Sequence, residues 1–241
     1  MVHGHSAKPE DVVTWRLLEK ARNQGAAAAL KEQFVIGASK GIGLETTRLA
    51  LEGGHQVRAL ARSAVGKGLS DPNLEKIQGD ALDRRDIEAA LDGMDAVIQT
   101  LGVSSLGDLL RPVHLFSDAT RILLSAMEAK AVKRLICVTG FGAGDSRSSI
   151  SCLQRLPFQV VFGRAYADKS EQERLIKDSS LEWTIARPGV LTNGKRTRRY
   201  KILREASEWR NGIISRSDVA DFLVRQIDDQ TCIHRTPVLI Y

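Results

Sequence analysis

Residues 34–43, FVIGASKGIG, decide how this chain folds. Phe34, Val35 and Ile36 have strand character and run directly into Gly37; Gly41 and Gly43 then open the helical pattern LETTRLALEGG. Such a junction calls for glycine because the chain turns sharply and its backbone must approach an anion closely. The helix behind it must also present bare amides and the positive end of its dipole. A glycine-rich motif alone is a weak signal. Here a strand precedes it, a helix follows, and a second strand at 56–61 comes after Gly53 and Gly54, which is the context a dinucleotide pyrophosphate requires. Gly37, Ser39, Lys40, Gly41, Ile42 and Gly43 are therefore candidate cofactor-binding residues.

Outward from that loop, short apolar runs alternate with helical stretches. Strands are predicted at 34–37, 56–61, 74–78, 96–101, 134–139, 182–187 and 237–240, and helices at 43–52, 84–91, 113–130, 168–179 and 217–227. The fold class this predicts is α/β: a single Rossmann-type, doubly wound parallel sheet over residues 34–241 with a small C-terminal substrate lobe. Residues 1–33 read as an added N-terminal helical segment. Val12, Trp15, Leu18 and Ala21 share a face that Glu19 interrupts, and Gly25 breaks the pattern before the run 26–30. This segment has no place in the minimal fold, and it reads equally as an arm, a dimer element or a start-site feature. The Gly/Ser-rich stretch 140–151 reads as a mobile loop.

A length of 241 residues suits one large domain, and 43% hydrophobic with 27% charged residues is ordinary for a globular protein. No apolar run approaches the ~18 residues of a membrane span, and the first ten residues lack a secretory pattern, so a cytoplasmic location is expected. Three widely spaced cysteines and five isolated histidines argue against a disulfide framework and predict no metal site. A net charge of +6 is compatible with nucleic acid but equally with a polyanionic cofactor, and no nucleic-acid or membrane partner is expected. A monomer or homodimer is expected.

A cofactor lacking a 2'-phosphate usually meets an acidic residue at the end of the second strand. This chain has Ala61-Arg62-Ser63 there instead, and Ser39 and Lys40 stand in the first loop. Two cations and hydroxyls suit a dianionic 2'-phosphate, so NADP(H) is the expected cofactor.

GASKGIG at 37–43, ALARS at 59–63, GDALD at 79–83, DAVIQTLG at 95–102, LICVTGFGAG at 135–144 and WTIARPGVLTNG at 183–194 together resemble the atypical short-chain dehydrogenase/reductases. The likeness is to the NAD(P)H-binding group of flavin reductase, biliverdin-IXβ reductase and nitrogen-repressor-like sensors, over 34–241. The resemblance implies that Asp80, with Ala81 beside it, lies at the adenine; a helix N-cap is the other reading of Asp80. It places Thr100, Leu101 and Gly102 along the ribose and nicotinamide side, and Thr139 and Gly140 above the nicotinamide. It puts Val190 to Asn193 along the nicotinamide edge and pocket wall, after Pro188 and Gly189 at the strand end where such a sheet builds its crevice; a structural turn is the other reading. Members of this group usually carry GxxGxxG, whereas here Lys40 takes the middle glycine's place and Gly41 follows.

The candidate catalytic residues are Thr139, Tyr166 and Lys169. Many short-chain dehydrogenases use a Tyr four residues before a Lys that lowers the phenol's pKa. In this chain the spacing is three, and Tyr166 is expected where a loop enters the helix at 168. Tyr166 reads as an acid or as an ordinary aromatic, and Lys169 as a ribose or carboxamide contact or as a surface lysine. The resembling reductases hold the nicotinamide against a flat acceptor and need no signature acid. The expected function is thus an NADPH-dependent oxidoreductase acting on a flavin, quinone or tetrapyrrole-like small molecule. A non-catalytic NADP(H) sensor is the alternative. A nucleotide-sugar epimerase or dehydratase ranks third, because little chain remains beyond Arg187 for a sugar domain. The basic run 195–204 reads as a solvated face or as an anion contact.

Overall fold

A computed structural model describes residues 30–63, 65–66, 68–102, 114–149 and 152–241, with backbone alone over 152–162. The chain divides into two units, Met1–Leu30 and Lys31–Tyr241. The helical segment expected over 1–33 lies, as far as residue 29, outside the described residues. Its end is not helical: Glu32 and Gln33 belong to the first strand, because their backbone continues the ladder with Gln56 and Val57.

The strands are β1 (Glu32–Ile36), β2 (Gln56–Ala61), β3 (Leu74–Gln78), β4 (Ala96–Gln99), β5 (Arg134–Val138), β6 (Glu182–Pro188), β7 (Val190–Thr192), β8 (Lys201–Leu203), β9 (Ile213–Ser215) and β10 (Val238–Ile240). The helices are α1 (Gly41–Glu52), α2 (Arg84–Ala90), α3 (Leu115–Ala129), α4 (Cys152–Lys177) and α5 (Arg216–Arg225). Eight strands form one sheet in the order β3-β2-β1-β4-β5-β6-β10-β8, parallel except where β8 runs against β10. The expected Rossmann-like architecture is thus the observed one. β7 and β9 form a separate parallel pair.

Every central strand is apolar on both faces, as a sheet covered by helices on two sides must be. Phe34, Ile36, Leu60, Val97, Leu135 and Ile185 point to one side, where they pack with Ile87, Leu123 and Met127 of α2 and α3. Val35, Ala59, Ile98 and Ile136 point to the other, against Ala50 of α1 and Val219 and Phe222 of α5. Each large side chain fully buried this way contributes roughly 1.5–3 kcal/mol. Chain order reverses between β1 and β4, which opens a crevice at the carboxyl ends of the strands.

Two expectations need correcting. The helix expected from residue 168 begins at Cys152, so Tyr166 lies well inside α4 rather than at its start. Pro157 and Gly163 disguised the pattern, yet the backbone helix continues through both. The described part of 140–151 is also built rather than loose: Gly144–Ser149 form a 3₁₀ turn, Gly142 N donates to Ser146 Oγ at 2.9 Å, and Ser146 Oγ donates to Ala143 O at 2.6 Å. Residues 150 and 151 lie outside the described residues. Among the described residues no helix is long and apolar enough to cross a membrane.

Candidate active site

The crevice is a cleft of 850 Å³ at the carboxyl ends of the parallel strands. Its floor is the glycine loop. Gly37 has φ +86°, and a Cβ there would come within 2.9 Å of Thr100 O. Gly43 packs against the loop itself: a Cβ would lie 2.3 Å from Gly37 O and 2.5 Å from Thr100 Oγ1. Thr100 ties the two strand ends together, its N–H and hydroxyl both donating to Ile36 O at 2.9 and 2.7 Å. Lys40 precedes α1 in an extended conformation and its side chain makes no cap hydrogen bond, so the first-turn amides stay open to a ligand.

Of the residues singled out from the sequence, Gly37, Ser39, Lys40, Gly41, Ile42, Arg62, Ser63, Asp80, Ala81, Thr100, Leu101, Gly102, Thr139, Tyr166, Lys169 and Pro188 all line this cleft. Gly43, Gly189 and Val190 are not among its lining residues. Gly43 lies beneath the loop as just described. Gly189 packs on Gly212, where a Cβ would be 2.3 Å from Gly212 O, and Val190 is 57% exposed. Lys40 and Arg62 are exposed and enter no ion pair among the described residues, so a 2'-phosphate would meet two uncompensated cations. Asp80 does not cap α2. That role is taken by Asp83, which accepts from Arg85 N at 2.8 Å, while Asp80 accepts from Leu82 N at 3.0 Å in the preceding turn.

At the far end, α4 is docked by the buried Asp168, whose carboxylate accepts from Phe116 N at 2.8 Å and Ser117 N at 3.3 Å at the start of α3. One residue later Lys169 turns its ammonium over the Phe116 ring, 4.1 Å from the centroid, and towards Val138 O at 3.5 Å. Burial pushes the Lys169 ammonium below the usual lysine range, although Glu173 and Asp168 pull the other way. Tyr166 presents its hydroxyl to Gly140, where a Cβ would lie 2.7 Å away. Burial pushes this phenol up to about 12, so it is a neutral hydroxyl across the physiological range.

Thr139 Oγ1 donates to Glu173 Oε1 at 2.7 Å, and Glu173 also accepts from Arg187 Nε at 3.0 Å. Arg187 pairs with Asp145 as well and lies over the Trp209 ring, 4.8 Å from the centroid. Partial burial pushes the Asp145 carboxyl up, but Arg187 and Lys177 hold it below the usual carboxylate range. The Thr139 proton is therefore committed, and what its oxygen can offer the cleft is lone pairs. Sequence reasoning missed Glu173, which holds Thr139, and it missed Leu115, Phe116 and Arg216 of the cleft lining, none of which any motif spacing marks. Leu191, within the stretch 190–193 expected at the pocket wall, does line the cleft.

Among the described residues no cluster of His, Cys, Asp or Glu is placed to hold a metal ion. The basic run 195–204 is partly neutralised: Arg196 pairs with Glu52, Arg198 with Asp221, and Asp218 accepts from the backbone of Thr197 and Arg198 at 2.8 Å each. It closes over α5 as a structural strap.

A family model described as NAD(P)H-binding matches residues 37–230. An uncharacterized sugar epimerase of Bacillus subtilis, YhfK, is 27% identical over 208 residues, covering 84% of this chain and 90% of that protein. Among solved structures, ChuY of Escherichia coli O157:H7, described as an anaerobillin reductase, is similar with TM-score 0.70 and 24% identity, covering 87% of this chain and 96% of that one. A short-chain dehydrogenase/reductase of Veillonella parvula in complex with NADP gives TM-score 0.69 at 16% identity, over 88% and 94% of the two chains. These two structural likenesses are likenesses of fold.

Proposed function

The chain belongs to the NAD(P)H-binding family, and from that premise we propose that it is an NADPH-dependent reductase passing hydride to a small planar or carbonyl-bearing acceptor, such as a flavin, quinone or tetrapyrrole. The residues present fit the cofactor: a glycine loop with open amides, Lys40 and Arg62 without an ion pair among the described residues at one end of the cleft, and a mixed apolar and hydroxyl wall at the other. When bound, the reduced nicotinamide supplies the hydride.

One observation carries the reductase reading. Lys169 directs its ammonium to Phe116 and Val138 O, and Tyr166 keeps a phenol of raised pKa, so the pair does not form an activated acid. A site of this kind aligns reactants and excludes water, and suits an acceptor whose reduced form takes its proton from solvent. Tyr166 donates a neutral hydrogen bond and Lys169 supplies positive charge beneath the site. Thr139, its own proton held by Glu173, accepts from an N–H of the carboxamide or of a flavin or pyrrole ring. An epimerase would need a proton moved on and off carbon or oxygen by the same pair, which this arrangement does not favour.

The test is a fluorescence titration with NADPH and with NADH, followed in the same cuvette by flavin mononucleotide and a simple quinone. Tighter binding of NADPH and loss of its absorbance on adding an acceptor support the reading. The missing activated acid also favours the NADP(H)-sensor reading, which gains if binding is tight and no acceptor from a broad panel is reduced.

A further inference from the structure

Arg216 is the first residue of α5, yet it lies against a loop 175 positions earlier in the chain. A Cβ on Gly41 would be 3.9 Å from Arg216 Nε and 4.0 Å from its Cδ, so the guanidinium borders the first turn of α1. Its side chain lines the same cleft as Gly37, Lys40 and Ile42. Two contacts fix it there. Arg216 Nη1 donates to Asn193 Oδ1 at 2.7 Å, just past β7, and the adjoining Ser217 Oγ donates to Glu45 Oε2 at 3.2 Å, which locks α5 beside α1.

The choice of partner matters. Among the described residues Arg216 enters no ion pair, and Glu45, a carboxylate of the neighbouring α1, is engaged by Arg48 at 2.9 Å and by Ser217. An amide oxygen positions the guanidinium without neutralising it. Of its five N–H donors the Asn193 bond uses one, leaving a planar fork beside the open amides of α1. A guanidinium facing helix-terminal amides across a narrow gap suits a phosphate oxygen held between them.

We propose that Arg216, positioned by Asn193, clamps the dinucleotide pyrophosphate beside the first turn of α1, together with the amides of the glycine loop. This rests on the cofactor reading above. The division of labour is spatial: Arg62, with Ser39 and Lys40, meets the 2'-phosphate that distinguishes NADPH, whereas Arg216 meets the part both dinucleotides share. The C-terminal segment thereby becomes part of the cofactor site.

The experiment measures Kd by fluorescence for NADPH and NADH with wild-type protein and with Arg216→Ala, Arg216→Lys, Asn193→Ala and Arg62→Ala, each checked for an unchanged melting temperature. Adenosine 2'-phosphate, which lacks the pyrophosphate, serves as a competitor. Arg216→Ala is expected to weaken both dinucleotides by the same factor, ~10- to 100-fold, and to leave adenosine 2'-phosphate unchanged. Arg216→Lys restores only part of that loss, and Asn193→Ala weakens both dinucleotides by less. Arg62→Ala should weaken NADPH alone. A Kd within twofold of wild type for both dinucleotides in Arg216→Ala overturns the clamp, as does a loss confined to NADPH and adenosine 2'-phosphate. If Arg216→Ala fails to fold, equal losses for both dinucleotides in Asn193→Ala support the clamp, and unchanged values in Asn193→Ala and Arg216→Lys overturn it. Wild-type protein that binds neither dinucleotide overturns the cofactor reading itself, a result distinct from a silent Arg216.

Discussion

Tyr166 shows how one side chain's surroundings change what its chemistry can be. It lies three positions before Lys169, which on a helix keeps both on neighbouring positions of one face, and both line the cleft. The lysine nevertheless spends its charge on Phe116 and Val138 O, and burial holds the phenol up to about 12. Tyr166→Phe should therefore remove one neutral hydrogen bond, worth ~1 kcal/mol, and slow hydride transfer to a flavin by about fivefold. An essential general acid would cost about 100- to 10,000-fold. Single-turnover oxidation of NADPH separates these outcomes, and a loss above 100-fold would return Tyr166 to the acid's role. In the wild type no rate change between pH 7 and 10 should arise from this phenol.

At the scale of elements, the buried Glu173–Arg187 pair joins α4 to β6 and holds Thr139 at the end of β5. Both side chains are almost fully buried, so breaking the pair leaves the Arg187 charge only the exposed Asp145 as counter-ion, whereas removing both charges together leaves no buried ion. Glu173→Gln should destabilise the protein by about 3 kcal/mol, a fall in Tm of roughly 6–12 °C. The double replacement Glu173→Leu with Arg187→Met should cost less than the single change. Thermal unfolding of the three proteins checks this; a double variant less stable than Glu173→Gln would mean that the ions contribute net stability.

Over the whole molecule, carboxylates whose pKa values lie below the usual range link the C-terminal segment and the cleft wall to the sheet. Burial pushes Asp218 up, but donors on Arg198, Tyr241 and Thr197 hold it below the usual range, and Asp145 and Asp229 are lowered likewise. A depressed carboxyl contributes stability that is present above the unfolded value, near pH 4, and is lost as pH falls through the folded value. Tm should thus hold from pH 7 to 5 and fall below pH 4, less steeply in Asp218→Asn than in wild type once the variant's lower starting Tm is allowed for. Parallel acid limbs in the two proteins would remove Asp218 from the account. Tyr166 and Tyr200 act at the other end, since burial raises both phenols, and the stability of their neutral forms is lost as pH rises above 10.

What was legible in the sequence was local. The order of strands and helices and the glycine loop could be read because period-2 and period-3.6 patterns and turn residues are short-range physics. The parallel sheet followed because such units connect in few ways. Strands of three residues, β7, β8 and β9, are too short to show a period, and Pro157 and Gly163 hid the first half of α4. Tertiary structure alone decided which side chains meet. Arg216 reaches the Gly41 loop because α5 packs beside α1, and Glu173 reaches Thr139 because Asp168 docks α4 on α3. Contacts made between distant segments leave no spacing in the chain. They arise only when helices bury their apolar faces on a common sheet, and so the loop that suits a dinucleotide could be read from residues 34–43, while the groups that close around it could not.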